Sequence, residues 1–161
     1  MLEIKKLEDE VTVKRVGDFL TGPDAFNYQW SAADKYLLNQ SLRRSLIEEN
    51  HQYWYIHDKE IVIGAIGVRE NKNLNGGYEM DDDYLAVHDR YRHQHLASRL
   101  LAEVESFVKN KEGRYIHILT YDTEAYQAAR RLYEKHAYRV VAIIPNYYVE
   151  GEGRVDYFKE M

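Results

Sequence analysis

The sequence contains no cysteine, so it can build neither a disulfide framework nor a thiolate metal site. Proline is nearly missing too: Pro23 and Pro145 are the only two in 161 residues, both in apparent turns, and no linker-like stretch divides the chain. No run approaches the roughly 18 consecutive apolar residues of a membrane span. The N-terminal MLEIKKLEDEVTVKR has no apolar signal core. There is no basic stripe either. The 22 lysines and arginines are interleaved with 27 acids for a net charge of −5, which removes the electrostatic footprint of a nucleic-acid surface. These absences lead us to expect one cytoplasmic domain over residues 1–161, with no nucleic-acid or membrane partner.

What is abundant is tyrosine, with 15 residues, a side chain suited to half-buried positions. Met1 to Leu7 alternates as a short strand does, and Glu8 to Leu20 has helical spacing before the Gly22-Pro23 stop. Asp34 is the expected N-cap of a second helix carrying Leu37, Leu38, Leu42, Leu46 and Ile47. Gln52–Ile56 and Ile61–Arg69 are rich in aromatic and β-branched residues around an Asp58-Lys59 turn, and Asn75-Gly76-Gly77 marks another turn in a meander reaching Val87. An amphipathic run from Leu96 to Val108 is helical. Strand 114–120, helix 124–136 and strands 138–144 and 154–160 follow. This order requires an α/β fold: a mixed, mostly antiparallel central sheet of about seven strands with helices on both faces.

The chemistry concentrates where the meander meets the long helix. After Tyr84-Leu85-Ala86-Val87 comes Arg92-His93-Gln94-His95-Leu96-Ala97, then Ser98 in the helix start SRLL. A helix N-terminus offers unpaired N–H groups and partial positive charge, which suits a pyrophosphate. Further on, Ala129 to Tyr138 reads ARRLYEKHAY. From Tyr84 to Tyr138 the chain resembles the GNAT superfamily of acyl-CoA-dependent N-acetyltransferases, whose phosphate loop begins with Arg or Gln, has glycine three residues on, and ends in Gly or Ala. The helix matching ARRLYEKHAY carries a tyrosine beside the cofactor sulfur and ends in glycine. Ile144 to Tyr148 and Gly151 to Lys159 are similar to its closing strand pair. Three departures stand out: His95 and Ala137 occupy the usual glycine positions, and Tyr126 a frequent asparagine position.

The resemblance implies acetyl-CoA as cosubstrate, held by Leu85, Ala86, Val87, Arg92, His93, Gln94, His95, Leu96, Ala97, Ser98, Tyr126 and Arg130. It implies backbone N–H groups near Leu85 to Val87 as oxyanion donors and Tyr133 as the acid that protonates the sulfur. A phenol with an ordinary pKa near 10 is matched to a thiolate and neutral at pH 7. For the base, Asp81 and Asp83 share strand parity with Val87, and Asp81 falls where some relatives keep a catalytic glutamate. Their neighbours Glu79 and Asp82 raise a carboxylate's pKa by like-charge repulsion and attract a cationic acceptor. The expected reaction moves acetyl to the primary amine of a small cationic molecule by direct attack in a ternary complex, in a monomer or homodimer. The alternative is a GNAT-fold module that binds acyl-CoA or a protein without catalysis. The spacing of His51, His57, His88, His117 and His136 fits no metal motif, so no metal is expected.

Overall fold

The computed structural model describes residues 2–26, 29–80 and 84–161. Strand β1 (Ile4–Lys6) leads into helix α1 (Glu10–Leu20). A capping box starts α1: the Asp9 carboxylate accepts the Thr12 N–H at 2.8 Å, and Asp9 N–H donates to Thr12 Oγ1 at 3.3 Å. Helix α2 (Ala32–Arg44) is capped by Ser31, not by Asp34 as expected. Ser31 is extended and its hydroxyl accepts the Asp34 N–H at 3.0 Å. Asp34 thus sits in the first turn, where its charge still favours the helix dipole. Leu38 and Leu42 of this helix face inward, whereas Leu37 is exposed and Ile47 lies beyond the helix end in solvent.

Strands β2 (His51–Asp58) and β3 (Ile61–Glu70) form the expected hairpin, followed by β4 (Gly77–Glu79) and β5 (Ala86–Val87). Helix α3 (Leu96–Asn110), strand β6 (Tyr115–Tyr121), helix α4 (Gln127–Lys135) and the antiparallel pair β7 (Arg139–Val149) and β8 (Glu152–Glu160) complete the chain. The sheet order is β1-β2-β3-β4-β6-β8-β7, with β5 also on β3. Among the described residues there are eight strands where about seven were expected, with β4 and β5 as separate strands before α3. Every pairing is antiparallel except β4 with β6, whose parallel register is made by the α3 crossover.

Alternation along the strands builds two cores. Tyr53 and Tyr55 of β2 face Leu7, Val13, Val16, Leu20, Leu38 and Leu42 on the α1–α2 side. Trp54 and Ile56 face Leu96, Leu100, Leu101, Val104 and Val108 of α3 on the other. Burying a side chain such as Leu100 completely stabilises the fold by roughly 2 kcal/mol. Gly64 of β3 permits the helix to come close: a Cβ there would stand 3.3 Å from Leu100 Cδ1.

The sheet is split. Gly77, Tyr78 and Glu79 pair with Tyr115, Ile116 and His117, and Met80 N–H donates to His117 C=O at 3.0 Å. Beyond that bond, Ala86 and Val87 pair with Ala65 and Gly64 of β3, and among the described residues no strand pairs with Ile118–Tyr121 on the β5 side. The gap opens beside the start of α3.

Helix α4 ends in a left-handed residue although it lacks glycine. Ala137 has φ 67°, and both bonds of the Schellman motif form: Tyr138 N–H to Tyr133 C=O at 3.0 Å and Ala137 N–H to Glu134 C=O at 3.1 Å. The departure from glycine at Ala137 therefore leaves the left-handed cap in place. Two backbone hydrogen bonds hold the conformation despite the Cβ, which costs about 1 kcal/mol in the left-handed region. Replacing Ala137→Gly is therefore expected to raise stability by about 1 kcal/mol, read as a higher urea midpoint at unchanged slope.

Candidate active site

The loop between β5 and α3 is fastened to the body at several points. His88 N–H donates to Ile63 C=O at 2.7 Å, and the buried His88 ring lies between Asp24 (Nε2–Oδ2 3.4 Å) and Asp89 (Nδ1–Oδ1 3.0 Å). The Tyr91 hydroxyl donates to Asp58 at 2.6 Å. Asp24, His88 and Asp89 are the one group among the described residues with three potential ligand atoms within 4.8 Å of one another. His88 Nδ1 accepts the Arg90 N–H at 3.2 Å, which leaves Nε2 to face Asp24 and ties the ring to its own loop.

Downstream of His88, Arg92 donates to Val87 C=O and Ala25 C=O, each at 3.4 Å. Its guanidinium therefore binds the loop to strand and body. His93 and His95 both take left-handed conformations, with φ 62° and 61°, and His93, Gln94 and His95 are exposed. His95 is the N-cap of α3, yet its side chain makes no capping hydrogen bond. The first amides of α3, from Leu96 to Ser98, lack intrahelical partners by position. A concave run of N–H groups is what a left-handed residue ahead of a helix produces, and it accepts an anion. The backbone geometry normally assigned to glycine is thus kept by an imidazole, at a conformational cost of about 1 kcal/mol.

Helix α4 brings Tyr133 to the same side of the sheet as α3. The ring is buried against Tyr138 and Tyr157, with centroids 6.1 and 5.6 Å away. Burial drives its pKa well above the ordinary phenol value, so it carries its proton throughout the physiological range. His136, the C-cap of α4, meets Ser98 of α3 at 3.1 Å (Nε2–Oγ), so the two expected site helices touch. Leu85, Ala86 and Val87 sit on the β3 side of the gap, and Ala86 is buried in the α1–α2 core. Asp81 and Asp83, the expected bases, lie outside the described residues.

On the β6 side, sequence reading missed a polar and aromatic wall. Ile116, Ile118, Val155 and Tyr157 enter the α3 core, so His117, Leu119, Tyr121, Arg154 and Asp156 alternate onto the other face. Tyr121 stacks on Tyr126 (4.6 Å) and Tyr148 (4.0 Å), and Tyr147 meets Tyr148 edge-on at 5.1 Å. Burial, reinforced by Tyr121, pushes the Tyr148 hydroxyl up to about 12. Burial also raises the pKa of Tyr121, with the negative charges of Glu152 and then Asp34 adding to it. Asp156 is buried and receives Arg154 Nε and Nη2 at 2.6 and 2.9 Å and His117 Nε2 at 3.0 Å. The HILTY alternation signals one face of β6, but its pairing with Asp156, 39 positions away, depends on strand register.

Arg130 was expected at the cofactor. Its Nη1 donates to the carbonyls of Tyr121 and Thr123 at 2.6 and 2.8 Å, closing the C-terminal end of β6.

The model of the acetyltransferase (GNAT) family matches residues 19–138, and the chain belongs to that family. No curated protein sequence matches it significantly. Among solved structures, it is similar to a GNAT-family protein from Desulfovibrio desulfuricans, with a TM-score of 0.84, 17% identity and 99% of each chain covered. It is also similar to the ribosomal-protein-S18-alanine N-acetyltransferase of Escherichia coli (TM-score 0.77, 14% identity, 99% of this chain and 94% of that one). A third is an aminoglycoside 6′-N-acetyltransferase solved with coenzyme A (TM-score 0.73, 17% identity, 98% and 96% covered). At these identities the likeness is one of fold. No helix among the described residues is long and apolar enough to cross a membrane.

Replacing Arg130→Ala removes two charge-assisted hydrogen bonds to the end of β6 and is expected to cost about 2 kcal/mol of stability, measured by urea denaturation.

Proposed function

We propose that the protein transfers an acetyl group from acetyl-CoA to the primary amine of a small cationic molecule by direct attack within a ternary complex. The observation that carries this reading is the coincidence of three features at one place: the split between β5 and β6, the uncapped start of α3 and the buried Tyr133. The pyrophosphate would rest on the amides of His93 to Ala97, and the pantetheine arm would run along the unpaired backbone of the gap. Acetyl-CoA supplies an activated thioester; the chain's own groups orient it and manage protons. A backbone N–H near Leu85 to Val87 would receive the developing oxyanion. The Tyr133 O–H would protonate the departing sulfur, since burial keeps the phenol neutral.

The left-handed His95 and Ala137 bear on the alternative, a binding module without catalysis. Their backbones keep the conformation expected of glycine, so the two departures leave the loop and helix end in place and favour the catalytic reading. The acceptor's class rests on charge: Glu79 beside the gap and the acids 81–83 that follow it in sequence favour a cation. The structural neighbours act on a ribosomal protein and on aminoglycosides with the same fold, so the fold does not select between acceptors.

The test is acetyl transfer to a panel of spermidine, kanamycin, lysine methyl ester and tyramine, followed by Tyr133→Phe. Turnover with at least one amine is expected, with kcat lowered by about a hundredfold in the variant and acetyl-CoA affinity unchanged by calorimetry. Tight acetyl-CoA binding with no acetylated amine would establish the binding module instead.

A further inference from the structure

The face of β6 that looks away from α3 carries a histidine at the apex of the split. The carbonyl of His117 accepts the Met80 N–H, the bond after which β4 and β6 part, and its side chain projects onto the face shared with Leu119, Tyr121 and Asp156. His117 Nε2 lies 3.0 Å from Asp156 Oδ2. Burial raises the Asp156 carboxyl, but the hydrogen bonds from Arg154 and His117 outweigh it and hold the group below the ordinary carboxylate value. Asp156 is therefore ionised and accepts only, so Nε2 must be the nitrogen that bears hydrogen. In the neutral ring this leaves the Nδ1 lone pair as acceptor, on a side chain that is 23% exposed.

We propose that His117, oriented by Asp156, is the general base that takes the proton of the acceptor ammonium through one water. The inference rests on the acetyl-transfer reading given above. An imidazole held by a carboxylate at one nitrogen and open at the other is the arrangement that makes histidine a base near neutral pH. His117 is the last residue of β6 in register with β4 and shares its strand face with Leu119, on the stretch that has no described partner on the β5 side. Among the described residues, the charged groups around it come from two strands. Asp156 and Arg154 come from β8, and Glu79, in register with His117, comes from β4, where it is 3.9 Å from Arg69 of β3.

The step balances. One ammonium proton passes through water to Nδ1, and the freed nitrogen pair forms the C–N bond at the thioester carbon. Collapse of the tetrahedral adduct breaks the C–S bond and sends that electron pair to sulfur, which takes the Tyr133 proton. The second N–H proton restores Tyr133, and the His117 proton leaves to solvent.

The experiment is the pH profile of kcat/KM from 5.5 to 10 with acetyl-CoA and the fastest amine of the panel. His117→Gln keeps a side-chain N–H for Asp156 while deleting the base. Wild type is expected to show an acidic limb, as a general base requires. In His117→Gln this limb should vanish, with about a hundredfold loss at pH 7 that closes as the free amine itself deprotonates. Asp156→Asn, which removes the charge that favours imidazolium, should move the limb down by about one unit. A retained limb, or an equal loss at every pH, overturns the assignment while leaving the transferase reading intact. Absence of any transfer by wild type overturns both.

Discussion

Among the described residues, the backbone hydrogen bond from Met80 N–H to His117 C=O is the last that joins the β4 side of the sheet to β6. Up to that point β4 and β6 form an ordinary parallel pair; beyond it β5 stays with β3 while β6 stays with β8. A sheet normally hides its main-chain polar groups in ladders, so an unpaired stretch in its middle leaves donors and acceptors to be satisfied by something else. Everything assigned to the site borders this opening: the start of α3 at one end, Tyr133 beneath it, and the His117, Tyr121 and Asp156 face above. The α3 core packs on both halves, against Trp54, Ile63 and Ile66 of β2–β3 and Ile116, Ile118 and Val155 of β6 and β8, while the α1–α2 core covers the other face of β2, β3 and β5.

The two residues that stand where glycine is usual show how backbone hydrogen bonding can outweigh side-chain strain. Ala137 is bound into a complete Schellman pair, and His95 precedes a helix whose buried Leu96, Leu100 and Leu101 fix its position. Against a folding stability of order 5–15 kcal/mol, two left-handed Cβ atoms at about 1 kcal/mol each are tolerable. At His95 the side chain that causes the strain also adds an exposed imidazole to the loop, beside His93 and Arg92.

Much of the fold was legible in the sequence because the signals are local. Helix α3 was plain in the spacing of Leu96, Leu100, Leu101, Val104 and Val108, and the β2–β3 hairpin in its aromatic and β-branched runs around Asp58-Lys59. The α2 cap was misread because Asp34 and Ser31 are both good caps, and only backbone conformation shows that Ser31 is the extended one. The left-handed states of His95 and Ala137 were hidden because residue type argues against them. The pairing of His117 with Asp156 could not be read at all, since it depends on a register set by the β6–β8 ladder. Arg130, expected at the cofactor, also donates through Nη1 to the carbonyls of Tyr121 and Thr123, partners that residue spacing does not reveal.

The central claim is that the unpaired main chain at the split and the amides opening α3 receive one ligand together. Amide hydrogen exchange with and without acetyl-CoA addresses it directly. The account predicts slowed exchange at His93 to Ala97 and along the Leu85–Val87 and Ile118–Tyr121 edges, with β1 and β2 unchanged. Exchange that stays the same at those amides under saturating acetyl-CoA would contradict it.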